Sequence, residues 1–156
     1  MIKYFVLSAI LLQLTAFSEE LEIKANIFSA DEQKGVSLFR GNVRVKKSND
    51  ELNASEVTIY TNKKNQPTKF VAIGDVSFKI ATKKGAKYRG KAQRVIYLPQ
   101  KEEYHFYDNV HLQQTNQKKE IIGDEVTLFL KSGKAFAKGI KNGPVIMIFD
   151  LKNNKE

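Results

Sequence analysis

Apolar and polar side chains alternate with a period of two through most of the chain after residue 20. In one stretch, Val76, Phe78 and Ile80 are separated by Ser77 and Lys79. Because successive side chains of a β-strand point to opposite faces, this alternation predicts strands with one apolar and one polar face. No segment after residue 20 carries the i, i+3, i+4 apolar stripe of a surface helix. The sequence therefore predicts an all-β fold.

The alternation is organised in repeats. A phrase ending in Gly-Asn-Val, Gly-Asp-Val or Asp-Asn-Val places Val76 33 residues after Val43, and Val110 34 residues after Val76, with a weaker copy ending at Ile140. Such a period indicates stacked supersecondary units that bury a common apolar face. Gly, Asn and Asp tolerate positive φ, so each unit is predicted to be two strands followed by a corner. A second phrase interleaves with the first at 52–57, 90–95 and 122–126.

The N-terminus has the pattern of a secretory signal peptide. Lys3 precedes the mostly apolar stretch 4–17, and the small residues Ala16 and Ser18 favour cleavage before Glu19. The stretch is shorter than the roughly 20 apolar residues of a spanning helix, although a retained membrane anchor is the alternative. The sequence predicts an exported protein.

This cleavage predicts three parts: a signal peptide (1–18), one β-domain (19–151) and a short polar tail (152–156). The net charge of +9 becomes +8 without the signal peptide, since Lys3 is its single charged residue. A basic surface favours anionic partners, or serves to keep the protein soluble. The chain has no cysteine, which excludes disulfides, thiolate nucleophiles and cysteine-ligated zinc.

No catalytic or metal-binding constellation stands out. His105 and His111 lack tight ligand spacing, and there is no phosphate-binding G-x-x-x-x-G-K-[ST] loop. The acid pairs 50–51, 102–103 and 124–125 leave a glycan-cleaving enzyme open as an alternative, because carboxylate separation is fixed only in three dimensions. Aromatic residues among basic ones also suit nucleic acid, but the export signal argues against it. We expect no catalytic residue, no metal, no cofactor and no nucleic acid.

Five segments carry a family resemblance through their order and spacing: 23–25, 39–45, 52–57, 107–114 and 122–128. With these segments the chain resembles the LptA/OstA family, the periplasmic proteins of lipopolysaccharide transport in Gram-negative bacteria. The resemblance implies an open antiparallel β-jellyroll of stacked repeated units with an apolar interior that binds the lipid A part of lipopolysaccharide. It also implies head-to-tail association, partners like inner-membrane LptC and outer-membrane LptD, and an inner-membrane ATPase as energy source.

The period-two apolar positions form the candidate lipid-binding set. They would face inward in a carrier, and equally in a packed sheet that holds no ligand. The candidates are Leu21, Ile23, Val43, Val45, Ile59, Val76, Phe78, Ile80, Val95, Tyr97, Val110, Leu112 and Leu128, with Val57 and Val126 as further inward positions.

The run 145–149 is apolar at every position and follows a Gly-Pro break. It is predicted either to lie buried within the stack or to form an open edge that pairs with the first strand, 21–27, of a second copy. The candidate edge residues are Ile23, Ile27, Val145, Met147 and Phe149.

Basic residues are predicted for loops and the outward face, where they meet lipid phosphates or are simply solvated. The sequence thus favours a lipopolysaccharide carrier or bridge, with a packed structural β-scaffold of the envelope or a glycan-acting enzyme as alternatives. The basic residues are Lys46, Lys47, Lys63, Lys64, Lys83, Lys84, Lys87, Arg89, Lys118 and Lys119.

Overall fold

A computed structural model describes residues 20–139, 141 and 143–151. The predicted signal peptide and polar tail lie outside the described residues. Within the described part of the chain, no helix is long and apolar enough to cross a membrane. The strands are β1 (Leu21–Lys24), β2 (Ile27–Asp31), β3 (Val36–Lys47), β4 (Asp50–Thr61), β5 (Pro67–Ala81), β6 (Lys87–Leu98), β7 (Glu103–Gln114), β8 (Lys119–Phe129), β9 (Lys134–Lys138) and β10 (Ile146–Phe149).

The ten strands form one antiparallel sheet, which confirms the predicted all-β class. The long strands β3 to β8 pair in sequence order, while β1 and β2 both pair with β3, and β9 and β10 both pair with β8. The prediction of one continuous first strand, 21–27, is wrong. The regular strand pairing is interrupted at Asn26, whose N–H donates to the carbonyls of Arg40 and Gly41.

The recurrent phrases mark bends inside the long strands rather than corners between strands. The pairing register shifts in β3 between Arg40 and Val43, and equivalent shifts occur in every long strand down to β8. Gly74 has φ +89°, and a side chain there would meet Ser55 of β4. A glycine therefore suits this bend in both conformation and space. The 33–34-residue period corresponds to one hairpin of two bent strands.

The line of bends divides the sheet into two halves. The β1 half consists of β1, β10 and the segments 43–47, 50–54, 76–81, 87–92, 110–114 and 119–123. The β2 half consists of β2, β9 and the segments 36–40, 56–61, 67–73, 94–98, 103–107 and 125–129.

The two halves face each other and share one core. Phe78 belongs to the β1 half and Phe106 to the β2 half, yet their rings stack with centroids 4.4 Å apart. Both side chains are buried. Such contact requires the sheet to fold over along its bends, so that the inner faces of the halves pack as in a sandwich. The largest fully buried side chains are Phe106, Leu112, Leu128, Val43, Val57, Val76, Val95, Val110 and Val126.

Candidate functional site

The thirteen candidate lipid-binding residues all lie on the inner faces of the two halves, where they form one apolar surface. Ile23, Val45 and Tyr97 are partly buried against the core, and Leu21 is 38% exposed at the N-terminal end of the stack. The strand register places the candidate residues of both halves on one inner surface. Their contact with lipid stays a prediction. The nine buried members are Val43, Ile59, Val76, Phe78, Ile80, Val95, Val110, Leu112 and Leu128.

An aromatic row runs through the interior, and most of it was missed by sequence reasoning. Ring centroids are 5.8 Å apart for Phe70 and Tyr97, 4.4 Å for Tyr97 and Tyr104, and 5.9 Å for Tyr104 and Phe106. The alternation of β7 is hard to see in the sequence, because Tyr107, which lies on the outer face, is aromatic like the inward Tyr104 and Phe106. The signal that finds Tyr104 and Phe106 is their two-residue spacing, which continues across the bend to Val110.

The interior is nearly closed. Its apolar cavity near the N-terminal end has a volume of about 50 Å³, whereas ordinary ligand pockets have about 300–1,000 Å³. An acyl chain therefore fits inside only if the halves move apart. The cavity is lined by Leu21, Val45, Lys47, Asp50, Glu51, Leu52, Val57, Phe70, Ala72, Tyr97 and Tyr104.

A wider opening lies at the C-terminal end of the stack. There β9 and β10 diverge, because each pairs with a different half of β8. The resulting groove, the C-terminal mouth, has a volume of about 510 Å³. Its apolar lining includes Tyr88, Ile121, Ala137 and Met147, with Lys84 and Lys119 among its polar residues. The mouth gives the apolar interior a route to solvent.

The turns of the two halves meet along an edge that we call the seam, formed by turns 48–49 and 82–86 of the β1 half and turns 99–102 and 130–133 of the β2 half. Lys47 was predicted to point outward, and this is wrong. It shares the inward side of β3 with Val45, and its Nζ lies 3.2 Å from Tyr97 Oη. The inward direction follows from period-two spacing with Val43 and Val45.

Two ionisable groups near the seam have shifted pKa values. Lys83 Nζ lies 2.9 Å from Glu102 Oε1. The hydrogen bond from Lys83 holds the pKa of Glu102 below its ordinary value, with help from Lys131 and Lys47. Burial, together with the charge of Asp50, raises the pKa of Tyr104 well above its ordinary value. Both groups therefore keep one protonation state near neutral pH.

The candidate edge residues lie at the two ends of the sheet. β10 pairs with β8 on one side, and Met147 and Phe149 are exposed. The alternative of a buried C-terminal strand is therefore wrong. Val145 packs against the core just before β10, and Ile23 packs against it from β1. Ile27 begins β2 at the opposite end and is 63% exposed.

The polar groups considered for catalysis or metal binding make contacts that stabilise the fold. Both histidines lie on β7. His105 contacts Glu103 at 3.0 Å and Thr127 at 3.2 Å. Buried Asp124 accepts the backbone N–H of Lys141 at 2.6 Å. Across the described ranges, no three His, Cys, Asp or Glu side chains converge as a metal site.

Comparison with known proteins agrees with this architecture. The sequence profile of the LptA/LptD N-terminal domain family of LPS transport proteins matches residues 22–134. By structure, the chain resembles LptH from Pseudomonas aeruginosa, the LptA-homologous periplasmic component of the conserved lipopolysaccharide transport device. The TM-score is 0.75 at 14% identity, over 85% of this chain and 96% of LptH. A search of curated protein sequences gave no significant match.

The profile match covers well over half of the chain, whereas the likeness to LptH, at its low identity, supports the fold. The family comprises transport proteins and not enzymes, so the prediction of a non-enzymatic protein is confirmed and the glycan-cleaving alternative is dropped. The resemblance read from the repeated phrases is confirmed as well. The chain belongs to the LptA/LptD N-terminal domain family of lipopolysaccharide transport proteins.

Proposed function

We propose that this chain is a periplasmic carrier that binds the lipid A part of lipopolysaccharide between its two halves and passes it along the stack toward the outer membrane. The observation that carries the proposal is the apolar inner surface, which runs through every strand and reaches the C-terminal mouth. Each acyl methylene placed on such a surface contributes about 0.8 kcal/mol. Several acyl chains together therefore supply a large driving force, while sugars and phosphates stay in water outside.

Binding on this route begins at the mouth, because the cavity farther inside is too small for an acyl chain. Met147 lines the mouth, and its neighbour Ile148 lies on the opposite, outer face of β10. The two side chains are similarly exposed, at 42% and 47%. They form a matched pair that differs in the face presented and not in accessibility.

The test replaces Met147 or Ile148, one at a time, with the photo-crosslinking residue benzoylphenylalanine and adds purified lipopolysaccharide. We expect a lipopolysaccharide adduct from position 147 and only background from position 148. Equal adducts from both positions would indicate non-specific adsorption to the sheet edge. Absence of an adduct at 147, together with no binding by calorimetry, would refute the carrier.

We further propose that copies associate head to tail, with the β10 and β9 edge of one copy pairing with the β1 and β2 edge of the next, each half with its counterpart. Exposed strands of apolar sequence are templates for such pairing, and the contact is heterologous, so it builds an open series. LptC-like and LptD-like partners would continue the sheet at the two membranes by the same edge pairing.

The head-to-tail contact predicts self-association that depends on protein concentration. Replacing Ile148, half-exposed on edge strand β10, with Lys places a charge on that edge and should shift sedimentation toward the monomer. The control is Tyr60→Lys, a similarly exposed position away from both sheet ends. A monomer at all concentrations in the unmodified chain would contradict the proposal.

One observation favours a second candidate, a structural β-scaffold of the envelope. The interior is packed closely enough to leave a cavity of only about 50 Å³. A scaffold of this kind would use the same edge pairing without cargo. The crosslinking experiment separates the two, since a scaffold self-associates but forms no lipopolysaccharide adduct at Met147.

A further inference from the structure

Polar contacts of several side chains join the β1 half to the β2 half across the seam, and two of them lie at its outer side. One is the Lys83–Glu102 ion pair at 2.9 Å, and the other is the Lys47–Tyr97 hydrogen bond at 3.2 Å. Lys83 and Glu102 flank opposite ends of β6. A straight strand of that length would hold its ends about 40 Å apart. The ion pair therefore exists only because β6 folds back at its bend, and it bridges the halves.

The apolar cavity lies directly behind these contacts. Lys47 and Tyr97 belong to its lining together with Phe70 and Ala72. The Lys47 Nζ also lies over the Tyr97 ring, 5.3 Å from its centroid. An acyl chain that approaches from the seam meets these polar groups before it meets the apolar surface.

The ion pair is built in a way that permits release. Glu102 Oε2 is buried and has no hydrogen-bond partner. Water can hydrate this oxygen when the seam opens, and this offsets part of the free-energy cost of opening. Lys83 is 68% exposed and Glu102 24% exposed. A pair of this exposure shifts an equilibrium by a factor of only about two to five. The ion pair therefore favours the closed seam but still allows the seam to open often.

We propose that Lys83, Glu102, Lys47 and Tyr97 form a releasable clasp that sets how often the two halves part. That parting also admits acyl chains from the side, a step that rests on the proposed carrier function. The clasp itself is a property of the empty protein and can be measured without cargo.

The first test measures opening by thiol labelling. The chain has no cysteine, and Ala72 is 3% exposed on the inner face, so in an Ala72→Cys background a small maleimide reacts only when the halves part. In this background, Lys83→Glu or Glu102→Lys should speed labelling about three-fold or more, since each creates a like-charge pair. The double change Lys83→Glu/Glu102→Lys restores an opposite-charge pair and should label more slowly than either single variant. Recovery should be partial, because Lys47 and Lys131 also lie near position 102.

The matched control is the Arg40–Glu56 ion pair, at 3.1 Å on neighbouring strands of the β2 half. Its side chains are similarly exposed, at 60% and 35%. Arg40→Glu should leave the labelling rate of the introduced thiol unchanged. The clasp is overturned if neither seam reversal speeds labelling, if the double variant labels as fast as the single ones, or if Arg40→Glu has the same effect.

The second test locks the seam. Lys83→Cys/Glu102→Cys is joined by a short, reducible bis-thiol crosslinker, and lipopolysaccharide binding is compared before and after reduction. We expect the locked protein to lose binding and reduction to restore it. The control is Arg40→Cys/Glu56→Cys, which links two neighbouring strands within the β2 half, away from the mouth and the seam, and should leave binding intact.

The outcomes separate the two proposals. Undiminished binding by the locked protein would overturn the role of the clasp in admitting cargo, and the carrier function would stand. If the unlocked protein does not bind lipopolysaccharide, the carrier function fails, and the labelling rates of the Ala72→Cys variants alone decide whether the clasp controls the parting of the halves.

Discussion

The outer faces of the two halves differ in chemistry although their inner faces are alike. The outer face of each half can be followed along one row of directly paired residues that crosses the sheet. The row in the β1 half contains Lys24, Arg44, Asn53, Ser77, Lys91, His111, Ile122 and Ile146. The row in the β2 half contains Ser29, Leu38, Thr58, Val71, Ile96, His105, Thr127 and Phe136.

The β1 row is mostly charged or polar, whereas the centre of the β2 row is apolar or β-branched. Leu38, Val71 and Ile96 are each partly buried on this outer face. Because cross-strand neighbours shield one another, such a row stabilises its half independently of the core. The β1 half relies more on its inner face and on the seam. The halves are therefore expected to differ in which substitutions they tolerate.

The largest effect is expected where the halves meet. Phe106→Ala removes a fully buried ring that stacks on Phe78 and should lower the free energy of unfolding by about 3–5 kcal/mol. Chemical denaturation of this variant and of Tyr107→Ala, its outward neighbour, provides the measurement. Equal losses in the two variants would contradict a shared core between the halves.

A smaller effect should separate the two outer faces. Ile96→Ala in the β2 row is expected to cost about 1–2 kcal/mol, less than a core truncation because the side chain is only partly buried. Lys91→Ala, on the same strand in the β1 row, should change stability by less than about 0.5 kcal/mol. Similar losses at Ile96 and Lys91, measured in urea, would remove the distinction.

The smallest effect concerns the seam and pH. The pKa of Glu102 is lowered by Lys83, so the folded protein binds this proton less readily than the unfolded chain. The contribution of Glu102 is therefore fully present above the ordinary value of 4.5 and is lost as pH falls below it through the folded-state pKa.

The stability difference between the unmodified chain and Glu102→Gln should be about 1 kcal/mol or less at pH 7. It should shrink toward zero in strongly acidic solution. Urea denaturation at several pH values provides the comparison. A difference that stays constant across the acid range would show that the carboxylate charge is not what joins the halves.

Much of the fold was predictable because it depends on local patterning. Alternation identified the inner positions of the β1 half, where polar outer residues make the period clear. The recurring Gly-Asn and Gly-Asp pairs located the bends. Local signals did not reveal that these pairs lie within continuous strands, since a bend and a turn use the same residue types.

The seam was not predictable, because it depends on how far the sheet folds over. Lys83 and Glu102 are 19 residues apart, and nothing in their local sequence indicates that the turns carrying them meet. Lys47 was misplaced because a lysine beside a turn is normally solvated. In the β2 half, apolar residues on both faces hid Tyr104 and Phe106 among their neighbours.

The stacking of strands also fixes how far one copy reaches. Eight strands lie side by side from β1 to β10, and at about 4.8 Å per strand they span about 34 Å. Adjacent strands rotate by about 20–25°, so the direction of the groove turns through nearly half a revolution within one copy. If copies join by their edges as proposed, they would form a helical rod whose length increases in fixed steps, and they would cross a wider compartment in a whole number of such steps.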